Sequence, residues 1–477
     1  MNATTTLPFA SAPVDRQSAA ELATDGLDLR LLDGSDAAGR RRWLLATARG
    51  FHDPAPDDAA LARQAAGITG DRVTEVLDRS AADPLIPVAT VRSWPMGLSV
   101  PGGGIVASWA ISSVTVSPTH RRRGLARALL TAELRTARRL GLPLAMLTVS
   151  EATIYARYGF GPAAHQASIT ITTADARRTV RPVALEPLPG RMHFVSPESL
   201  REDAPAIFER SRRRGAGDVD RRDTVWDQLL GLTALPQATQ ATPATQATQE
   251  TQETAEARTS AVATPGIARH AVRFDDAAGT PQGFAIYSVT LAEDAYPARL
   301  DLVDLVAATD AAYATLWRFV LELDLIGEVS APLRNIAEPL VWQLENPRAV
   351  RASAERDHLW LRLLDVPAAL EQRRYAAPGV FRLDVTDELG IAGGEFLLTV
   401  TADGAGSVHP LSAGEAVSPD AAHIALPVAS LGALYLGGPS AVVLARAGRL
   451  TEQSPDAATR LDATFRTGQP PHLSTWF

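Results

Sequence analysis

The sequence predicts a mixed α/β protein, strands and helices interleaved, built as three consecutive units. Three observations predict it. The 477 residues exceed what one ordinary core accommodates, at roughly 100 to 200 residues per domain. Residues 108–149 read as strand, glycine turn, helix and strand, and the strand-helix grammar returns further along. Apolar content of 46% with 21% charge is that of a globular chain.

In order, "LDLRLL" (27–32) alternates as a strand and "GRRRWLLATARGF" (39–51) follows as a helix. "LIPVATVRSW" (85–94) and "SWAISSVTVSP" (108–118) read as further strands around the turn-rich "PGGG" at 101–104. From Gly124 the period becomes helical, with Leu125, Ala128, Leu129 and Ala132 on one face, ending near Gly141 with Pro143 beyond. "LAMLTV" (144–149) is then a buried strand. The first unit is expected over 1–180.

A second unit, 181–355, is interrupted at 236–265 by a Gln-Ala-Thr repeat without an aromatic residue, a composition expected to be disordered. Pattern resumes with the hairpin "AVRFDDAAGTPQGFAIYSV", the strand "ARLDLVDLV" and a helix opened by Asp310, without a Gly-rich turn between strand and helix. The third unit, 356–477, begins with "HLWLRLLDVPAALEQRRY" and closes on "HLSTWF", where Trp476 and Phe477 are expected to pack rather than fray.

Composition excludes several chemistries. No cysteine means no disulfide, no thiolate nucleophile and no zinc-finger spacing, and nine scattered histidines suggest no metal site. The first twenty residues lack a signal-peptide pattern, and no apolar run reaches about 18 residues, so a cytoplasmic protein without a membrane span is expected. A net charge of −8 opposes nucleic-acid binding and favours cationic partners.

Against that background "VSPTHRRRGLARALL" (116–130) stands out: His120–Arg139 holds seven arginines and one glutamate. Aromatics interleaved for nucleic acid are missing. A helix start carries partial positive charge and disfavours arginines unless an anion joins them. Unpaired first-turn amides, the helix dipole and guanidinium groups together make a phosphate seat, with glycine permitting close approach. A second copy of the spacing, "RRRGAG" (212–217), follows a helical pattern and leads into polar "DVDRRD", so it lacks that setting.

"V-x-V-x-P-x-x-R-R-x-G-L-A" after a strand, with "IYARYGFG" some thirty residues on, resembles the GNAT acetyltransferases. Arg121, Gly124 and Ala126 match their Arg/Gln-x-x-Gly-x-Gly/Ala loop; Ile154, Tyr155, Arg157, Gly159 and Phe160 match their second signature. Together with "LWLRLLDVPAALEQRRY", "LGALYLGG" and a closing Phe, the whole chain outside the repeat resembles the Eis family of N-acetyltransferases. The resemblance implies an active GNAT domain, a degenerate GNAT-like domain and a sterol-carrier-protein-like α/β domain, in a homo-oligomer, commonly a hexamer.

It further implies acetyl-CoA as co-substrate and no metal. Val114, Thr115 and Val116 would pair with the pantetheine arm. Arg122, Arg123, Gly124, Leu125, Ala126 and Arg127 would wrap the pyrophosphate beside Arg121, and Ser150 and Glu151 would complete the cleft. Tyr155 would donate a proton and the Phe477 carboxylate accept one. Phe51 and Asp53 of "GFHD" are substrate contacts by loose alignment, although an ordinary surface loop explains them equally. Trp476 stands where some members carry an acid, and its ring suits stacking on a sugar or aryl group.

The implied chemistry is sound. An attacking amine loses a proton and the departing thiolate gains one, so a base and an acid on opposite sides serve the transfer. A tyrosine, ordinarily near pKa 10, stays protonated at neutral pH, and burial can raise a carboxylate from about 3.5. The resemblance makes a polycationic amine, aminoglycoside-like or polyamine, the expected acceptor. Acetylation of lysine or N-terminal amines, and non-catalytic binding of acyl-CoA or lipid, remain alternatives.

Overall fold

A computed structural model describes residues 9–177, 190–232, 268–292, 295–412 and 414–477. The repeat at 236–265 and the expected boundary near Arg181 lie outside the described residues. The chain divides into two compact units: 1–164 with 357–468 and 476–477, and 165–356 with 469–475.

The first unit opens with α1 (Arg16–Ala23), β1 (Leu27–Leu31), α2 (Ala37–Phe51), α3 (Asp58–Gly67), β2 (Arg72–Asp78), β3 (Ala89–Ser99) and β4 (Ile105–Val116). It continues through α4 (Leu125–Arg139), β5 (Leu144–Thr148) and α5 (Ala152–Tyr155) into β6 (Gly161–Thr172), which carries the chain to the second unit. There follow α6 (Thr173–Arg177), β7 (Gly190–Val195), α7 (Pro197–Arg212), α8 (Asp223–Leu230), β8 (Arg269–Asp276), β9 (Pro281–Ala292), β10 (Ala295–Ala307), α9 (Asp310–Glu322), β11 (Ile326–Arg334) and α10 (Leu340–Gln343). Strand β12 (Val350–Leu363) returns to the first unit, which ends with α11 (Val366–Glu371), β13 (Gly379–Thr386), β14 (Gly394–Val400), β15 (Gly406–Pro410), β16 (Ala422–Pro427), α12 (Val428–Leu434), α13 (Ala441–Arg446), β17 (Thr451–Glu452) and α14 (Ala457–Phe465).

In the first unit the strand order is β1-β2-β3-β4-β5-β12, with a separate sheet β15-β14-β13-β16-β17. In the second it is β6-β11-β10-β9-β8-β7. Helix α4 lays Leu125, Ala128, Leu129 and Ala132 on Val91, Trp109, Ile111 and Leu147, the face its periodicity marked. The second unit packs Leu316, Trp317 and Val320 of α9 on Leu300, Val329 and Tyr287.

Three readings of the sequence are corrected. The strand read from Leu85 begins at Ala89, because Asp83 captures the amides of Leu85 and Ile86 in a turn and leaves Leu85 52% exposed. Strand β2 escaped notice: "RVTEVLD" is buried throughout, yet its polar residues mask the pattern. Arg72 and Thr74 bond Glu133 at 3.1 and 3.0 Å, and Glu75 bonds Arg30 at 2.7 Å, so each of these buried polar side chains has a partner. Helix α9 is capped by Thr309, whose hydroxyl accepts the Ala312 amide at 3.1 Å, with Asp310 its first residue. The boundary expected between 355 and 356 lies one residue from the division between the two units, within β12, whose Leu359–Leu363 pair with Thr148–Leu144 of β5.

Two buried arginines organise the C-terminal part. Arg373 donates to the carbonyls of Tyr435 and of Phe465, the latter at 2.8 Å, between the rings of Tyr375 and Phe465, each 4.6 Å away. The protein's own guanidinium thus occupies the interior of the β13–β17 module. Arg362 of β12 reaches Asp387 with two bonds of 3.0 and 2.7 Å and donates to the Tyr158 carbonyl. Asp387 also accepts the amides of Leu389, Ile391 and Ala392.

Burial works to raise the Asp387 carboxyl, but the Arg362 charge and these hydrogen bonds outweigh it and hold the group below the ordinary carboxylate range. A depressed carboxylate contributes stability that is present above its unfolded pKa near 4 and lost as pH falls through the folded value. Asp387→Ala, leaving Arg362 buried and unpaired, is expected to cost about 3–5 kcal/mol at pH 7 in denaturant unfolding. The deficit should shrink as the pH is lowered below about 4; a pH-independent deficit would show that the charge pair is not its source.

Candidate active site

Strand β4 pairs with β3 along most of its length but runs parallel to β5 only over Ser108–Ala110 against Leu144–Met146. Beyond Ala110 the two strands diverge while both continue, opening a wedge between their C-terminal ends. A bulge between the Thr90 and Arg92 pairings helps turn β4 away, with Ser113 at φ +55°. The Thr90 hydroxyl lies 3.0 Å from the Ser113 carbonyl oxygen and 2.6 Å from the Thr115 hydroxyl, fixing the bulge. Val114, Thr115 and Val116 line this diverging edge.

The arginine turn closes the wedge's end. Residues 118–120 form one short 3-10 turn, Arg122 is left-handed at φ +63°, and Gly124 caps α4 at φ +78°. No side chain caps α4 and no acid lies in its first turn, so the amides of Leu125, Ala126 and Arg127 are open to an anion. Alternating hand along successive residues makes an amide nest. The turn is tied down by Asp78 of β2: the carboxylate lies 3.0 Å from His120 Nε2 and 3.5 Å from Arg123. Hydrogen bonds from Ser80 and His120 hold Asp78 well below the usual carboxylate range. Arg121, Arg122 and Arg127 are exposed and make no ion pair among the described residues, so the charge they offer is uncompensated.

Strand alternation sorts the remaining groups. Ala145 and Leu147 join Leu129, Tyr155 and Phe160 in the core beneath α4, and Tyr155 packs edge-on to Phe160 at 6.3 Å. Met146 and Thr148 point to the other face. There the Thr148 hydroxyl donates to the Phe477 main-chain oxygen at 3.1 Å, and the Phe477 ring meets Trp94 edge-on at 6.1 Å. Trp476 lies edge-on to His358 at 4.3 Å. Ser150 and Glu151 are exposed at the end of β5, Glu151 accepting the Thr153 hydroxyl at 2.8 Å. Phe51 and Asp53 follow Gly50, whose added Cβ would lie 2.4 Å from Thr115 Cβ, so the end of α2 rests against β4.

The Gly159 of the second signature has two physical reasons. Its φ is +79°, and a Cβ there would lie 1.6 Å from Arg362 Nη1. The turn that follows Tyr155 is therefore built around the Arg362 guanidinium. Asp78, His120, Trp94, Thr148 and Arg362 all escaped the sequence reading. His120, Trp94, Thr148 and Arg362 lay within quoted stretches without being singled out for the site, and only Asp78 lay outside them. Among the described residues no cluster of histidine and acidic groups could hold a metal ion, and no helix is long and apolar enough to cross a membrane.

Residues 41–163 match an acetyltransferase (GNAT) domain, 217–363 a second acetyltransferase (GNAT) domain, and 366–474 a sterol carrier protein domain. These matches and the wedge define the chain as an N-acetyltransferase of the GNAT class. An uncharacterized N-acetyltransferase of Streptomyces griseus is 34% identical over 453 residues, 93% of this chain and 98% of that one. N-acetyltransferase Eis of Mycobacterium tuberculosis is 34% identical over 380 residues, 78% and 81% of the two chains. The crystal structure of Eis1 from Mycobacterium abscessus superposes with a TM-score of 0.73 at 29% identity, covering 94% of this chain and all of that one. A GCN5-related N-acetyltransferase from Anabaena variabilis shares the fold, with a TM-score of 0.72 at 18% identity. The chain belongs to the Eis family of N-acetyltransferases.

The GNAT fold implies acetyl-CoA as co-substrate. Because both the left-handed backbone and the approach of a phosphate require glycine, Gly124→Val is expected to abolish acetyl-CoA binding in calorimetry. Arg123→Gln, removing a guanidinium already engaged by Asp78, should weaken binding only a few-fold. Similar losses for the two variants would mean that charge, not backbone geometry, makes the site.

Proposed function

We propose that the protein transfers the acetyl group of acetyl-CoA directly to an amine of a polycationic small molecule, aminoglycoside-like or polyamine, in a ternary complex. What supports this reading is that two groups able to handle protons lie on the two faces of β5, the strand that borders the wedge. The Phe477 main-chain oxygen is bonded to Thr148 on one face of β5, and Tyr155 is packed beneath α4 on the other.

With acetyl-CoA seated along Val114–Val116 and its pyrophosphate on the Gly124 turn, the thioester lies in the wedge. The acceptor ammonium is drawn to the Phe477 carboxylate and gives up a proton to it, directly or through water. The nitrogen lone pair adds to the thioester carbonyl, the carbon–sulfur bond breaks, the leaving thiolate takes the Tyr155 proton, and the second proton of the nitrogen passes through water to restore Tyr155. No cysteine is present to form a thioester intermediate, consistent with direct transfer. An acidic chain, with Glu151 and Asp53 exposed beside the cleft and a tryptophan at 476, favours a cationic acceptor with a ring to stack. The family resemblance further leads us to a homo-oligomer, a hexamer, acting in the cytoplasm. Arg373 within the sterol-carrier-like module argues against the lipid-carrier alternative, since a guanidinium and two aromatic rings fill its interior.

Release of CoA thiol from acetyl-CoA is the direct test, run with polyamines, aminoglycosides and basic peptides. Turnover confined to peptides would replace the acceptor class, and lipid binding without turnover on any amine would overturn the reading. Tyr155→Phe should lower kcat about 10²–10⁴-fold with little change in acetyl-CoA affinity. One residue added after Phe477 should be comparably damaging to kcat; an unchanged rate in a folded protein would remove the carboxylate from the mechanism.

A further inference from the structure

The second unit repeats the parting of strands with different chemistry around it. Strand β10 runs parallel to β11 over Ala298–Asp301 against Ile326–Ser330, and both strands then continue apart, β10 to Ala307 and β11 to Arg334. A helix again follows, here α9, but its start is no phosphate seat. Thr309 caps it, and Asp310 in its first turn pairs with Arg214, so an acid of the chain stands where a phosphate would lie. The space between the strand ends is kept. Ala307 of β10, Arg334 of β11 and Tyr313 of α9 wall a cavity of about 450 Å³, inside the range of about 300–1,000 Å³ usual for small-molecule sites.

Segment 469–475, part of the same unit, completes the wall and is held by the "RRRGAG" turn. Ala216 accepts the His472 amide at 2.8 Å, and Asp218 accepts the amide and hydroxyl of Ser474 at 2.8 and 2.7 Å. His472 Nε2 donates to the Leu333 carbonyl of β11 at 2.7 Å. With Nε2 donating, Nδ1 carries a lone pair, and it makes no hydrogen bond among the described residues. Burial holds the imidazole below its ordinary pKa, so the lone pair persists at neutral pH.

Arg334 is the second fixed group on the wall. Its Nε donates to Glu338 at 3.0 Å and its Nη2 to the Tyr313 hydroxyl at 3.3 Å, with the Trp317 ring 5.5 Å away. Its Nη1 makes no hydrogen bond among the described residues. The acids nearby are committed elsewhere, Asp218 to Ser474 and Asp304 to Arg221 at 2.5 Å. Burial pushes the Glu338 carboxyl up to about 7, so near neutral pH the partner of Arg334 is only partly ionised. A rigid guanidinium with donors left over and a weakened counter-ion is a seat for a carboxylate. Asp310, on the same wall, engages Arg214 through Oδ1 and leaves Oδ2 for a cation. A buried Arg–Glu pair adds little stability over apolar residues of the same size, so a ligand is the better reason for keeping one here.

We infer that this cavity of the second GNAT unit is a binding site for a small zwitterion, an α-amino acid, whose carboxylate pairs with Arg334 and whose ammonium meets the His472 Nδ1 lone pair and the Asp310 carboxylate. The charges of the wall select this class. An anion alone would face Asp218, Asp310 and Glu338, and a cation alone would face Arg214 and Arg334. A zwitterion answers both signs. The site lies wholly within the second unit and does not depend on the roles proposed for Tyr155 and Phe477.

The proteinogenic L-amino acids, added singly to the full chain, are the probes, read by titration calorimetry with and without acetyl-CoA. At least one is expected to bind with a Kd of about 1 mM or tighter, the same in both conditions. Its decarboxylated amine and its deaminated acid should each bind about tenfold more weakly or worse. Arg334→Gln should weaken binding about tenfold; if that variant does not fold, Asp310→Asn, at an exposed acid, reads the ammonium end and should weaken it several-fold. Gly215→Phe should abolish binding with the melting temperature kept, because a Cβ added at Gly215, on the cavity wall, meets no atom within 4 Å. Binding by no amino acid overturns the site, and equal binding of the deaminated acid overturns the zwitterion. Competition by acetyl-CoA, or binding unchanged in Gly215→Phe, would put the ligand elsewhere and overturn the cavity as its seat. Acetyl transfer in the first unit is read separately by CoA-thiol release, so neither result stands in for the other.

Discussion

Everything in the catalytic unit depends on two parallel strands parting company. Pairing of β4 with β5 stops at Ala110, and the hydrogen-bonding edge beyond it is not paired by β5. A strand edge left open inside a sheet is costly, since its amides and carbonyls need partners. The fold meets that cost locally: Thr90 braces the bulge at Ser113, and Asp78 and His120 anchor the turn that follows. These contacts preset the wedge, so a ligand entering it does not also have to order the strand beside it.

The second unit keeps the same parting of strands and finds another way to satisfy it. Where the first unit offers open amides at Gly124, the second has Thr309 and Asp310 folded back on its own helix start. The two helix starts differ in whether the positive end of the dipole is already neutralised by the chain.

Much of the first unit was legible in the sequence because its information is local. The strand before Gly124, the period of α4 and the glycine with proline after it lie within some thirty residues, and the elements form there. Sequence reasoning failed where polar residues satisfy one another across the fold. Strand β2 carries Arg72, Thr74 and Glu75, whose partners Glu133 and Arg30 come from other elements, so a strand buried along its length reads as polar. The site was half legible for the same reason. Arg121, Gly124 and Tyr155 sit in contiguous motifs, whereas Trp94, Thr148 and Asp78 acquire meaning only when strands are placed side by side. "RRRGAG" was correctly separated from the phosphate loop by its setting, but nothing in its spacing announces that it holds another segment of the chain.

The Arg362 guanidinium, seated over Gly159 and clasped by Asp387, bears on how such proteins can be rearranged. A sterol-carrier-like module that merely followed a catalytic domain could be exchanged as a cassette, in evolution or in the laboratory. Here the turn carrying Tyr155 has no side chain at its centre because an arginine from a much later strand fills that place, and the carboxylate that neutralises it belongs to the C-terminal module. Grafting the catalytic segment alone would leave a hole under its own signature motif, so the transferable piece of this architecture includes the C-terminal module.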